Sequence, residues 1–219
     1  MFLTVSVMSF FNSGYNEEIL TINNNNADKD GTVVNTVTDF KTIVKYNSKL
    51  PSNVTNVIRE GVAGLSIKDS NGVQVIQEVV NEVVEKGTGA YGIYSGKVVG
   101  YGPDCPGCSS EGYVSCRTED KQKFSLIHDG VYYDDDEYGK VRVVAASLAK
   151  FPCGTIVEVN NPKTEPFTVI VMDTGGTVIN AWKKYGVVVM DLAYPKNALA
   201  ASDGLTGNNI TFKVQRWGW

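Results

Sequence analysis

Val169-Ile-Val-Met-Asp-Thr-Gly-Gly176 is the stretch whose reading decides the fold of this chain. An apolar, β-branched run of this length reads as a buried strand, and it delivers one aspartate into a Gly-Gly turn. Val187-Val-Val-Met-Asp-Leu192 repeats the pattern downstream. Further short apolar runs surround these two: Val141-Arg-Val-Val-Ala145, Thr155-Ile-Val-Glu-Val159 and Ile210-Thr-Phe-Lys-Val214. Phe151-Pro-Cys-Gly-Thr155 and Asn161-Pro162 supply turn signals between them. Many short strands with few helical patches predict a mainly β protein with a small barrel. Asn197–Ser202 is the best helical segment, and Ala145–Lys150 suits a single helical turn.

The composition changes along the chain. Residues 1–31 form an N-terminal segment and a polar linker, Asn23-Asn-Asn-Asn-Ala-Asp-Lys-Asp-Gly31, without the means to build a core. Residues 32–89 are poor in aromatics and rich in Val, Thr, Asn and Glu, with strand patterns at Val33–Val34, Val37–Phe40 and Val73–Val84. So few large apolar residues predict a thin, extended β module. From residue 90 to 219 aromatics, cysteines and prolines become frequent, and the barrel strands lie there.

The bulk numbers exclude several partners. With 219 residues, 42% hydrophobic and 20% charged, the chain can fold around a core as one large or two small domains. A net charge of -4 with no basic cluster argues against nucleic acid. No apolar run reaches the roughly 20 residues of a membrane span. The opening Met1–Phe11 is apolar, but the first basic residue is Lys29, so no clear secretory leader is expected. Leu3, Val5 and Val7 alternate with Thr4 and Ser6 as in a short strand.

Asp173 and Asp191 are the leading candidates for chemistry. An acid at the end of a buried strand meets apolar walls that resist its ionisation, which prepares it as a general acid. Binding turn amides is the plain alternative. Cys105, Cys108, Cys116 and Cys153 suit two disulfides in an extracellular protein, and four cysteines allow three pairings. A zinc site using most of them, with His128 as the one histidine, is the other reading. A redox role lacks a surrounding βαβ pattern. Asp134-Asp-Asp-Glu137 offers oxygen ligands without the spacing of a calcium loop, and His128 reads as a loop residue. No metal or cofactor is assigned. Tyr132, Tyr133, Tyr138 and Trp182 have faces that suit sugar rings, although such residues more often belong to core or rim. Trp217 and Trp219 are expected to pack as anchors.

Residues 91–219 resemble the three-aspartate domain, a double-psi β-barrel related to the membrane-bound lytic transglycosylase A family. The resemblance is carried by Tyr101-Gly-Pro-Asp-Cys-Pro-Gly-Cys108, Val143-Val-Ala-Ala146, Phe151-Pro-Cys-Gly-Thr155, Met172-Asp-Thr-Gly-Gly176 and Val189-Met-Asp-Leu192, in that order. Residues 33–89 resemble, more weakly, the G-five cell-wall module through Glu60-Gly61, Gly64, Asn71-Gly72 and Glu82–Gly87.

The resemblance implies a peptidoglycan-cleaving lytic transglycosylase. Such enzymes cut the bond between N-acetylmuramic acid and N-acetylglucosamine without water, using one acid/base to leave a 1,6-anhydro sugar. Asp191 then matches the acid/base and Asp173 a residue that orients it, with the roles open to reversal. Asp104, Thr174, Gly175, Gly176 and Tyr132 become candidate groove residues. A non-catalytic wall-binding module on the same barrel is the competing reading. Two departures from the family pattern stand out: Ser147 where many members carry aspartate, and an extended link at Ala181-Trp-Lys-Lys-Tyr185. The implied partner is the glycan strand, and the setting is extracellular, at the cell wall or on a virion. A phage tail lysin accounts for an enzyme without a leader, with other virion tail proteins as its neighbours.

Overall fold

The computed structural model describes residues 18–22, 33–69 and 71–219. The alternation at Leu3, Val5 and Val7 and the Asn-rich linker lie outside the described residues. The protein is mainly β, with 53% strand and 7% helix, as the short β-branched runs predict. The described residues divide into two compact units, one comprising those up to Lys45 with Asn56–Glu85, the other Tyr46–Thr55 with Lys86–Trp219.

In the first unit, β1 (Glu18–Ile22) and β2 (Val33–Thr38) join β5 (Gly64–Asp69) and β6 (Gly72–Gln77) in an antiparallel sheet of order β1–β2–β5–β6. β3 (Thr42–Pro51), β4 (Thr55–Arg59) and β7 (Glu82–Gly89) form a three-stranded sheet, order β3–β7–β4. The apolar stretch Val73–Val84 is therefore two strands, β6 and β7, interrupted where Val80 bridges Val62. Val83 is buried in this unit, whereas Val73, Val75 and Ile76 are half exposed or more.

The second unit holds β8 (Ile93–Tyr101), β9 (Tyr113–Arg117), β10 (Lys123–Ser125), β11 (Tyr132–Asp135), β12 (Gly139–Ala145), β13 (Ile156–Asn160), β14 (Phe167–Asp173), α1 (Gly176–Tyr185), β15 (Val188–Ala193) and β16 (Gly207–Arg216). Six strands in the order β12–β14–β13–β16–β8–β15 close into a barrel when β15 pairs back onto β12. The β12–β14 and β15–β8 pairings are parallel, and β11 extends β12 as an antiparallel ribbon.

Strand alternation sorts the apolar side chains into two layers. Val98, Val144, Val157, Val169, Met190 and Phe212, one from each barrel strand, belong to the cluster that fills the interior. Val143, Ala145, Ile156, Ile170, Met172 and Ala193 have the opposite parity and face outward. There they are covered by Val114, Cys116, Phe124 and Leu126 from the β9–β10 hairpin and its flanks. A barrel wall buried on both faces explains why β14 reads as an unbroken apolar run.

The helical expectations need correction. Asn197–Leu199 is a single 3-10 turn, and Ser147–Phe151 is a turn closed by the Ser147 carbonyl. The α-helix among the described residues is α1 (Gly176–Tyr185), whose Val, Ile, Thr and Trp residues have strand-like propensity. Tertiary packing overrides that propensity: Val178 is buried, and Trp182 one turn later packs against the barrel core. Gly186 ends the helix in the left-handed region (φ 64), its N–H donating to the Trp182 carbonyl and the Val187 N–H to the Ala181 carbonyl. β8 was hidden in the sequence by Gly96 and Gly100. At Gly96 a Cβ would stand 2.0 Å from the Val188 carbonyl oxygen, so glycine lets β8 lie against β15. Trp217 stacks on Phe151 at 5.9 Å and Trp219 packs edge-on against Tyr133 at 5.5 Å.

Candidate active site

The two aspartates meet because of strand register. Ala145 at the end of β12 pairs with Asp173 of β14 on one side and with Asp191 of β15 on the other. Their backbones therefore lie two strand spacings apart, about 10 Å. A β-bulge re-aims Asp173. Val144 pairs with Val171 but Ala145 pairs with Asp173, so Met172 is the extra residue and Asp173 joins the outward face of Ala145. The small Ala145 side chain leaves space between the two acids.

Asp173 is tightly held. Its Oδ1 accepts hydrogen bonds from the Ser115 N–H (2.9 Å), the Ser115 hydroxyl (2.7 Å) and the Thr174 N–H (2.8 Å). Its Oδ2 accepts the Tyr101 hydroxyl at 2.8 Å. Burial, the charge of Asp173 and the bond to it raise the Tyr101 phenol far above its ordinary value, so Tyr101 stays protonated and donates. Ser115 lies on β9, next to Cys116, whose disulfide to Cys153 ties β9 to the turn before β13. That turn is bonded in both directions to Val171 of β14, through the Gly154 and Val171 amides. Cys105 and Cys108 form the other disulfide, so all four cysteines are paired.

Asp191 has the opposite surroundings. Its Oδ1 is buried without a hydrogen-bond partner among the described residues. Burial, then the nearby charge of Asp173, push its carboxyl up to about 6. Two carboxyls in one site are thus differentiated, one saturated with donors and one desolvated and ready to exchange a proton near neutral pH.

Both acids line a cleft of about 430 Å³. One wall is the Cys105-Pro-Gly-Cys108 loop, and the other is Thr174-Gly-Gly-Thr-Val178 at the start of α1. No side chain caps this helix, and a Cβ at Gly175 or Gly176 would meet no atom within 4 Å, so backbone N–H groups border open space. Thr174 Oγ1 is a further buried polar atom without a partner among the described residues.

Of the sequence candidates, Asp173, Asp191, Thr174, Gly175 and Gly176 line the cleft together. Asp104 and Tyr132 do not. The Asp104 carboxylate accepts the Asn197 amide, and Tyr132 is occupied by the Arg142 guanidinium and Lys140. Tyr113, unremarked in the sequence, does line the cleft, with Lys123 4.9 Å from its ring centre. Its alternation with buried Val114 and Cys116 on β9 was the available signal. Ser147 is buried outside the cleft lining. Ala181–Tyr185, the extended link, is the second half of α1.

The acidic run around Asp135 is structural. Arg216 pairs with Asp135 at 2.6 Å and with Glu137 at 3.4 Å. Burial alone would push the Asp135 carboxyl up, but Arg216 and the Tyr138 and Glu137 amides outweigh it and hold it low. His128 is exposed beside Glu111. The chain matches no family model, no curated protein and no solved structure.

Proposed function

We propose that the second unit is a lytic transglycosylase acting on peptidoglycan glycan strands, with Asp191 as its acid/base and Asp173 as the neighbouring anion. The observation that carries this reading is the differentiated carboxyl pair in the cleft. A carboxyl near 6 is protonated often enough to give its proton to a glycosidic oxygen, yet basic enough afterwards to take one. In the transglycosylase route the proton goes to the leaving oxygen, and the muramic C6 hydroxyl then attacks the anomeric carbon. Its proton returns to Asp191. The product is the 1,6-anhydro sugar, and no water is consumed. Asp173 stabilises positive charge developing at the anomeric centre.

A three-aspartate-type double-psi path for the barrel, preceded by a G-five-type module, belongs to the same reading. It is supported by the order of the matching segments, by Asp173 at the end of β14 and by Asp191 within β15. Two disulfides suit an extracellular setting, at a cell wall or on a phage particle.

Mass spectrometry of the soluble products from purified peptidoglycan is the test. Anhydro-muropeptides are expected, and their loss in Asp191→Asn is expected with them. Hydrolysed, reducing sugars would mean a different glycosidase mechanism. No release, with the protein pelleting on the wall, would make this a binding module.

A further inference from the structure

We propose that Tyr101 and Ser115 are positioning residues that commit Asp173 to the role of fixed acceptor and so leave Asp191 to carry the proton. This rests on the acid/base reading of the same cleft, and it settles which carboxyl does which job. Two carboxyls close together share protons unless their surroundings differ, and then the titration belongs to the pair. The asymmetry here comes from a few named groups.

Asp173 accepts hydrogen bonds from two hydroxyls and two amides, whereas Asp191 Oδ1 has no partner among the described residues. A proton on Asp173 would weaken the charge-assisted bonds that it accepts, the one from the buried Tyr101 among them. A proton on Asp191 Oδ1 weakens no such bond among the described residues. Both hydroxyl donors come from outside β14: Tyr101 from the end of β8, and Ser115 from β9. Ser115 is seated by the adjacent Cys116–Cys153 disulfide, which holds β9 to a turn bonded to β14. Tyr101 is the last residue of β8, which pairs in parallel with β15, so the strand beside Asp191 delivers the donor that occupies Asp173.

The test is carboxyl-carbon NMR of the full chain with ¹³C-labelled aspartate, titrated from pH 4 to 8, with Asp173→Asn and Asp191→Asn assigning the signals. In the wild type the protonation step is expected at Asp191 alone. In Ser115→Ala with Tyr101→Phe, Asp173 is expected to take a visible share of that step. With it, kcat for product release falls about tenfold while KM stays within about twofold. Ser115 is exposed and keeps its backbone N–H on substitution, so Ser115→Ala alone gives the same readout at smaller amplitude if the pair does not fold. A protonation step that stays wholly on Asp191 in these variants overturns the proposal, as does one centred on Asp173 in the wild type. The NMR result does not depend on wall cleavage, so absence of anhydro products would count against the enzyme reading alone.

Discussion

β6 and β14 are made of similar residues and meet opposite fates. Gly72-Val-Gln-Val-Ile-Gln77 is exposed along its whole length. Phe167-Thr-Val-Ile-Val-Met-Asp173 has four consecutive residues, Val169 to Met172, with no accessible surface. Both are strands because β-branched residues suit the pleat. What differs is the second layer. The first unit's β1–β2–β5–β6 sheet leaves large apolar side chains in water, while the barrel fills its interior and covers part of its outer wall. Each fully buried Val, Ile or Met contributes about 1.5–3 kcal/mol, so the barrel has the firmer framework. That framework also makes tuned chemistry possible, because a carboxyl is shifted only where burial removes water.

The sharpest way to break this contrast is at the cleft. Asp191→Asn is expected to reduce wall cleavage by about 10²–10⁴-fold, the usual weight of a general acid, without lowering Tm. Equal cleavage by variant and wild type would remove the barrel's claim to chemistry. Next in size are paired core truncations. Ile170→Ala in β14 should cost about 2–5 kcal/mol, whereas Ile76→Ala in β6 should stay within about 0.5 kcal/mol. Urea unfolding of each, followed by tryptophan fluorescence and by hydrogen exchange, reads the two units separately. Comparable losses would mean that β6 is buried in solution by something else.

Replacing Cys116 and Cys153 together by serine opens a loop of sequence separation 37 and should cost about 2–4 kcal/mol in the barrel. Opening Cys105–Cys108, separation 3, should cost less and show mainly in the cleft wall.

The smallest expected effect is one of pH. The Asp191 carboxyl is raised in the folded protein from 3.8 to about 6. The folded state therefore holds an extra proton in that window, and its stability from this group is greatest below it and lost as pH rises through it. Thermal melts should show Asp191→Asn gaining on the wild type between about pH 4 and 6. The gain should reach about 1–2 kcal/mol after allowance for solvent screening in the cleft. A difference that is flat with pH would place Asp191 in water.

Much of the barrel could be read directly. The runs around Val143, Val157, Val169, Val189 and Phe212 are strands because unbroken β-branched segments of that length have little else to become. β8 was not legible, since Gly96 and Gly100 interrupt its pattern and their reason, a close approach to Val188 and to Tyr194, is tertiary. α1 was not legible either, because burial of Val178 and packing of Trp182 decide against strand-like propensity. In the cleft, Asp173 and Asp191 stood out by position after apolar runs. Asp104 and Tyr132, offered only as groove residues, are engaged by neighbouring groups, the Asn197 amide and Arg142.

Residue order alone thus specified the strand content, the change of composition near residue 90 and the two aspartates that follow apolar runs, because each depends on local pattern. The choice among three disulfide pairings, the shared register of both acids on Ala145, the bulge that turns Asp173 outward and the donors drawn from β8 and β9 needed the tertiary structure. These are contacts between segments tens of residues apart. They also make Asp191, rather than Asp173, the carboxyl whose Oδ1 has no partner among the described residues, and no local pattern in the chain records which of two similar aspartates will be given donors.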